Sequence, residues 1–217
     1  MRLYIIRHGE TNLNITGNLQ GHLDVPLNDN GVELAKVTGQ GMADIHFDYV
    51  ISSPSQRAVL TAQMVLSENK TSKEAPLITD KRLMEMYFGA WEGKCTNADN
   101  FELGIDNWSD FFQKPFEFVG CKDFEGCTKL CERAGGFLDE IIAKEGNSDK
   151  NILISTHGCT MRALCNRFYE DPQDFWQGLI PYNCAVNIIE VIDGKSTLID
   201  RDVIYYDKSL CKDFYKA

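Results

Sequence analysis

The sequence predicts an α/β layered domain built around a largely parallel β-sheet. Short apolar runs of strand length alternate along the chain with segments whose apolar residues recur at helical spacing. Strands that alternate with helices are typical of folds in which helices cover a parallel sheet. The chain has 217 residues and is 43% hydrophobic, which is enough for one sizeable core. We therefore expect a single domain over residues 1–217.

Four segments have the length of strands, and β-branched residues are prominent in several of them. They lie at residues 3–6, 49–51, 152–154 and 186–192. Because ligand sites in such folds lie beyond the carboxyl ends of the strands, the residues that follow these segments are the first candidates for function.

Helical patterns occupy the connections between the strands. A helix is predicted after Asn28, and a second one after Ser53 and Pro54, with Ser53 as its N-cap and Pro54 in its first turn. Two further apolar stripes run through residues 127–142 and 161–168. Cys127 and Cys131 lie on the first stripe, where core packing accounts for them.

Residues 94–124 do not follow this alternation, and we interpret them as a lid-like insertion. The segment has weak periodicity, two glycines and many aromatic residues, among them Phe101, Trp108, Phe111, Phe112, Phe116 and Phe118. These rings either contact a substrate or form only the insertion's own small core, and the sequence leaves both readings open.

Composition restricts the classes of partner. A formal net charge of −10 disfavours binding to nucleic acid or to an anionic membrane surface, because both need a basic face. No stretch of eighteen apolar residues occurs, so no membrane span is expected. The first residues show no secretory leader, and the eight cysteines are therefore expected to be free thiols in a cytoplasmic protein. The oligomeric state is left open.

Three segments that follow predicted strands carry arginine and histidine. They are residues 7–11 with Arg7 and His8, residues 52–57 with Arg57, and residues 155–158 with His157. Two arginines and two histidines would converge at one edge of the sheet, where guanidinium groups and helix N-termini favour a phosphate group. The predicted partner is a small-molecule phosphate ester.

His8 is the candidate nucleophile, since a neutral imidazole can approach a phosphate dianion without charge repulsion. Arg7 and Arg57 disfavour the imidazolium, whereas a bound phosphate favours it. Which ring nitrogen attacks depends on the partner of the other nitrogen. Glu85, among apolar residues, is the candidate general acid, and a bell-shaped dependence of the rate on pH is expected.

Several of these residues could instead have purely structural roles. Arg57 could instead pair with a surface carboxylate, and His22 and His46 are read as surface or capping residues. A zinc site at the histidines and Glu85 is disfavoured, because the i, i+4 spacing of metal-binding helices is absent and two arginines would repel the cation. No metal and no cofactor are predicted.

The sequence resembles the histidine phosphatase superfamily, the phosphoglycerate mutase-like group with an R-H-G motif. The resemblance covers nearly the whole chain and rests on an ordered set of stretches: R-H-G-E-T-N-L-N, L-Q-G-H-L-D-V-P-L-N-D-N-G, S-S-P-S-Q-R-A, L-M-E-M-Y-F-G-A-W-E-G and S-T-H-G. It implies a three-layer α/β/α sandwich and a metal-independent phosphatase.

The resemblance also implies roles for individual residues. His8 would accept the phosphoryl group, Glu85 would donate the proton, and Arg7, Arg57 and His157 would bind phosphate. Further pocket residues would be Asn14, Thr11, Gln20, Gly21 and Gly158.

The chain departs from the family pattern at two places. Mutases of the family usually carry basic residues in the insertion, whereas here Ser109-Asp110-Phe111-Phe112 follows Trp108, which argues against phosphoglycerate mutase activity. Where the family often shows G-E-S, this chain has Phe124-Glu125-Gly126. A non-catalytic phospholigand-binding module is the remaining alternative.

Overall fold

In a computed structural model, which describes residues 1–178 and 180–210, six strands within that part of the chain form one mixed sheet. The strands are β1 (Arg2–Arg7), β2 (Tyr49–Ser52), β3 (Leu77–Thr79), β4 (Asn151–Thr156), β5 (Val186–Ile192) and β6 (Lys195–Val203). Their order across the sheet is β3-β2-β4-β1-β5-β6. The first four are parallel to one another, while β5 and β6 form an antiparallel edge.

Helices connect these strands. They are α1 (Asn12–Thr16), α2 (Asp29–Gly41), α3 (Gln56–Glu68), α4 (Asp110–Gln113), α5 (Gly126–Glu145) and α6 (Gly158–Cys165). Short 3₁₀ turns lie at Lys81–Leu83, Gly89–Trp91, Ala98–Asn100, Asn166–Phe168 and Lys208–Leu210.

The sheet separates two hydrophobic cores, because successive side chains of a strand point to opposite faces. In β1, Leu3 and Ile5 belong to one core and Tyr4 and Ile6 to the other. The first core includes residues of α5 and α6, such as Leu130, Phe137 and Leu164. The second includes residues of α2 and α3, such as Leu34, Ala35 and Val65. The fold is thus α/β/α, as predicted.

The four predicted strands are all present, but β3 and β6 were not predicted. Both lie at edges of the sheet, where one side has no neighbour and burial leaves little pattern in the sequence. In β3, Ile78 is 54% exposed, and β6 contains no buried residue.

The predicted start of α3 was wrong. The helix begins at Gln56 with Ser55 in the N-cap position, not at Pro54 with Ser53 as the cap. The backbone N–H of Ser53 donates to the carbonyl of Ser155 at 2.9 Å, so Ser53 continues the pairing of the two strands and is extended. Similarly, α6 ends at Cys165, and Phe168 lies in the following 3₁₀ turn.

The segment interpreted above as an insertion, residues 94–124, contains the short helix α4 and an aromatic cluster. Trp108 stacks on Phe111 with ring centroids 4.7 Å apart, and Phe118 packs against both. The indole N–H of Trp176 donates to the carbonyl of Phe111 at 2.8 Å, which joins the insertion to the segment after α6.

No helix within residues 1–178 and 180–210 is both long and apolar enough to cross a bilayer.

Candidate active site

Arg7, His8, Arg57 and His157 meet near the carboxyl ends of β1, β2 and β4, which are neighbours in the sheet. Backbone pairing continues one residue past β1, because the N–H of His8 donates to the carbonyl of Thr156 at 2.9 Å. This brings His8 beside His157, and their ring centroids lie 5.2 Å apart. Arg57 comes to the same place from the first turn of α3.

The structure defines which nitrogen of His8 is available. Nδ1 lies 2.7 Å from the carbonyl oxygen of Gly9. A carbonyl oxygen only accepts, so Nδ1 carries the proton and Nε2 carries the lone pair. Burial, followed by the charges of Arg57 and Arg7, holds the pKa of His8 well below its ordinary value. The imidazole is therefore neutral at pH 7, with Nε2 as a free base.

Gly9 lets the turn after β1 pack directly against the start of α2. A Cβ atom at Gly9 would lie 2.4 Å from the carbonyl oxygen of Gly31, a distance that no side chain tolerates. The N–H of Gly9 donates to the hydroxyl of Thr61 at 2.9 Å. Both contacts fix the backbone that orients His8.

Arg57 is completely buried. Its guanidinium group holds the backbone of residues 20–23 through three hydrogen bonds. Its Nη1 donates to the carbonyl of Leu23 at 2.9 Å, and its Nη2 donates to those of Gln20 and Gly21 at 3.0 and 2.9 Å. Burial lowers the pKa of Arg57 to about 10, so the guanidinium stays charged at neutral pH. Within the described residues its Nε has no hydrogen-bond partner.

His157 is also completely buried. Its Nε2 lies 2.8 Å from the hydroxyl of Ser53, while its Nδ1 has no hydrogen-bond partner in the described part of the chain. Burial, and then the charge of Arg57, lowers the pKa of His157 well below its ordinary value. Arg57 Nε–H is thus a buried donor that an anion could satisfy.

Glu85 lies at the N-terminus of α6. Its Oε1 accepts from the N–H groups of Met86 and Thr160 at 2.8 and 3.1 Å, and from the Thr160 hydroxyl at 3.3 Å. Its Oε2 accepts from the N–H of Cys159 at 3.0 Å. A Cβ atom at Gly158 would lie 3.6 Å from Arg7 Nε and 3.7 Å from Glu85 Oε2, so these two side chains flank Gly158.

Several of these groups line one cleft. Six of the predicted residues line it, namely Arg7, His8, Asn14, Gln20, Glu85 and Gly158. Its other walls are formed by Asn18, Leu19, Phe88, Trp108, Phe111, Phe112, Cys159, Trp176 and Ile180.

Thr11 and Gly21 were predicted to lie at the pocket, but neither lines the cleft. The hydroxyl of Thr11 donates to Oε1 of Gln20 at 2.7 Å and supports that side chain from behind. Gly21 accepts a hydrogen bond from Arg57 through its carbonyl. Arg57 and His157 likewise lie behind the surface of the cleft and next to His8, whose pKa the Arg57 charge lowers.

The sequence reasoning missed Asn183. This residue is completely buried, and its Nδ2 donates to the carbonyl of His8 at 3.0 Å and to Oδ1 of Asn14 at 3.4 Å. It follows a proline-containing turn and has no periodic pattern around it, so only the packing of β5 beside β1 reveals its position.

A second missed group is the ion pair between Arg133 and Glu125. Arg133 Nε donates to Glu125 Oε1, and Nη2 donates to Oε2, both at 2.8 Å. Arg133 also donates to the carbonyls of Arg82, Met84 and Glu85 at 2.7, 2.8 and 3.3 Å. Glu125 is the middle residue of Phe124-Glu125-Gly126. The chain therefore differs from the G-E-S pattern at the two flanking residues and retains the glutamate.

Within residues 1–178 and 180–210, no group of three or more His, Cys, Asp or Glu side chains is placed to hold a metal ion.

Comparisons with known proteins identify a family and a fold that the chain shares. A sequence model of the histidine phosphatase superfamily (branch 1) matches residues 3–202. The chain is 31% identical to a broad-specificity phosphatase of Saccharomyces cerevisiae, covering 93% of this chain and 84% of the relative. It is 30% identical to the adenosylcobalamin/alpha-ribazole phosphatase of Escherichia coli, with 85% and 87% covered. The solved structure of YhfR from Bacillus stearothermophilus superimposes with a TM-score of 0.82 at 29% identity, covering 94% of this chain and 98% of that one.

Proposed function

The chain belongs to the histidine phosphatase superfamily, and on that premise we propose that it hydrolyses a small phosphomonoester through a phosphohistidine formed on His8. The observation that carries the proposal is the hydrogen bond from His8 Nδ1 to the carbonyl of Gly9 at 2.7 Å. This bond leaves Nε2 with a free lone pair beside two arginines, which is the arrangement that attack on a phosphate dianion requires.

In the first step, Nε2 attacks phosphorus and the bond between phosphorus and the ester oxygen breaks. The charges of Arg7 and Arg57 offset the charge on the phosphoryl oxygens, and His157 lies beside His8. Protonated Glu85 gives its proton to the leaving oxygen, so the product departs as a neutral alcohol.

In the second step, water attacks the phosphorus of phosphohistidine. Ionised Glu85 accepts the proton of the water, the P–N bond breaks, and its electron pair returns to Nε2. Inorganic phosphate leaves, and both His8 and Glu85 regain their starting protonation states.

The proposed reaction needs no metal or cofactor and takes place in the cytoplasm. The seven cysteines within the described residues are all free thiols, which supports a reducing compartment.

The intermediate can be trapped directly. The enzyme is mixed with a phosphomonoester, quenched in alkaline denaturant because the P–N bond is labile to acid, and digested for mass spectrometry. We expect one added phosphoryl group on the peptide that contains His8. The variant His8→Ala should show no adduct and lose at least about 10³-fold in kcat.

His46→Ala is the matched control, because His46 is exposed and lies away from the cleft. It should retain both adduct and turnover. If the native enzyme forms no adduct while His8→Ala keeps full activity, the proposed mechanism is wrong. A screen over sugar phosphates, phosphoamino acids and nucleotides, with and without chelator, measures phosphate release in parallel.

The same screen separates the alternatives. A phosphoglycerate mutase would interconvert phosphoglycerates with no release of phosphate, and it would need a site for a second anionic group. Among the described residues that line the cleft, Arg7 is the single lysine or arginine. A non-catalytic module would bind phosphate tightly and turn over no ester.

A further inference from the structure

The cleft has an aromatic wall that the proposed chemistry does not use. This aromatic wall consists of Phe88, Trp108, Phe111, Phe112 and Trp176, which line the same cleft as Arg7, His8 and Glu85. Phe88 comes three residues after Glu85, and Trp108, Phe111 and Phe112 come from the insertion. The wall therefore adjoins the group proposed to protonate the leaving oxygen.

The aromatic wall is held in place by its own contacts. Trp108 stacks on Phe111 at 4.7 Å, and Phe111 meets Trp176 edge-on at 5.1 Å. The hydrogen bond from Trp176 Nε1 to the carbonyl of Phe111 ties the two segments together at 2.8 Å. Phe111 and Trp176 are 2% and 4% exposed, so their rings are fixed before any ligand enters. A wall that is already ordered costs little conformational entropy on binding.

Phe112 is the part of this wall that remains open to a ligand. Its side chain is 37% exposed, and its ring lies 5.3 Å from that of Trp176. A flat apolar group inserted here would remove aromatic surface from water on both partners.

Charge in the cleft disfavours a substrate with a second anionic group. Of the residues described as lining it, Arg7 is the one arginine or lysine and Glu85 the one carboxylate. A carboxylate on the alcohol part of the ester would lose its hydration beside the aromatic wall without gaining a cation.

From this wall and this charge pattern we propose that the site selects phosphomonoesters whose alcohol part is a neutral aromatic or similarly flat apolar group. The inference rests on the proposed phosphatase function. In-line displacement places the leaving oxygen opposite Nε2 of His8, and the alcohol part then extends past Glu85 toward the aromatic wall. Small phosphorylated acids and bisphosphates would be poor substrates.

Non-hydrolysable phosphonates test this selectivity without interference from leaving-group reactivity. Inhibition constants are measured for benzylphosphonate, methylphosphonate and phosphonoacetate. Benzylphosphonate should bind about 10- to 100-fold more tightly than methylphosphonate, as expected for burial of one phenyl ring. Phosphonoacetate should bind no better than methylphosphonate. Tighter binding of phosphonoacetate than of benzylphosphonate would overturn the proposal.

Two phenylalanines of the insertion provide a matched pair of variants. Phe112 and Phe101 are both 37% exposed, but only Phe112 lines the cleft. Phe112→Ala should raise the inhibition constant of benzylphosphonate about 3- to 10-fold more than that of methylphosphonate. Phe101→Ala should change neither. Equal effects of the two variants on benzylphosphonate would contradict a role for the aromatic wall.

Turnover distinguishes failure of this inference from failure of the proposed function. Phosphate release from 1-naphthyl phosphate should exceed release from glycerol 3-phosphate and 3-phosphoglycerate in kcat/KM. Faster release from the two aliphatic esters would reject the inference and keep the phosphatase. If no ester is hydrolysed but benzylphosphonate still binds selectively, the phosphatase fails and the selectivity stands.

Discussion

Two buried imidazoles dominate the chemistry of individual residues in this protein. His8 and His157 pack ring against ring at 5.2 Å, and both lie next to the charge of Arg57. Burial in this setting makes the neutral form of each the stable one. His8 is therefore in its neutral, nucleophilic form at neutral pH. In acidic solution the folded protein resists protonation of both imidazoles, and this lowers its free energy of unfolding.

This arrangement predicts how stability depends on pH. In the unfolded chain both histidines take up protons near pH 6.5, whereas in the folded protein their lowered pKa values resist protonation. The unfolded state therefore binds more protons below pH 6.5, and the free energy of unfolding falls as the pH drops from 7 to 5.5. Each histidine contributes up to about 1.4 kcal/mol per pH unit. Urea unfolding at several pH values measures this slope.

His8→Gln should remove about half of this pH dependence, because one of the two buried imidazoles no longer titrates. His46→Gln, which changes an exposed histidine, should leave the slope as it is in the native protein. Equal slopes for the native protein and His8→Gln would show that His8 does not titrate as its burial requires.

At the scale of elements, the segment that carries Glu85 depends on α5. Residues 84–88 form neither helix nor strand. Their backbone is held by Arg133, which donates to the carbonyls of Met84 and Glu85, and by Glu125, which accepts from the N–H of Tyr87 at 3.1 Å. The Arg133 and Glu125 side chains are 21% and 16% exposed, so solvent screens their ion pair only in part.

Loss of this support should affect proton donation in particular. We expect Arg133→Met to lower kcat about tenfold or more with a smaller change in KM, because Glu85 is no longer held at the leaving oxygen. The loss should be large for an alkyl phosphate and small for p-nitrophenyl phosphate, whose leaving group needs no proton. Measuring kcat for both esters checks this.

Arg167→Met is the matched control. Arg167 pairs with Asp139, also on α5, but both side chains are largely exposed. Its kcat should stay within about twofold of the native value for both esters. If Arg133→Met slows the two esters equally, the ion pair supports the fold rather than the position of Glu85.

At the scale of the whole molecule, the central strands are buried on both faces. Leu153 and Ile154 of β4 are each fully buried, and they belong to different cores. A sheet with one solvated face would bury only alternate residues of this strand. Stability therefore depends on adjacent residues of β4 to a similar degree.

We expect Leu153→Ala and Ile154→Ala each to lower the free energy of unfolding by about 2–5 kcal/mol. Ile199→Ala in β6, where the side chain is 43% exposed, should cost less than about 1 kcal/mol. Urea unfolding with an unchanged m value measures these differences. A small cost at either β4 position would mean that one of the two cores contributes little.

The sequence by itself determined the class of fold and the meeting of Arg7, His8, Arg57 and His157. Strand periodicity shows which segments are buried, and parallel strands necessarily end at one edge of the sheet. Local patterns carry this information because each element needs its own apolar face. The edge strands β3 and β6 were not predicted, because their partial burial leaves no periodic pattern in the sequence. The start of α3 was predicted wrongly, because it depends on a single backbone hydrogen bond of Ser53.

Only the tertiary structure decided how the site is arranged. The tautomer of His8 follows from the distance between its Nδ1 and the carbonyl oxygen of Gly9. Thr11 and Gly21 were predicted to line the cleft, but they lie behind its wall. Of the aromatic residues of the segment 94–124, Trp108, Phe111 and Phe112 line the cleft, whereas Phe118 packs against Trp108 and Phe111 without lining it. Arg133 supports Glu85 across 48 residues of chain. Such contacts depend on how whole elements pack against each other, which no local pattern of residues records.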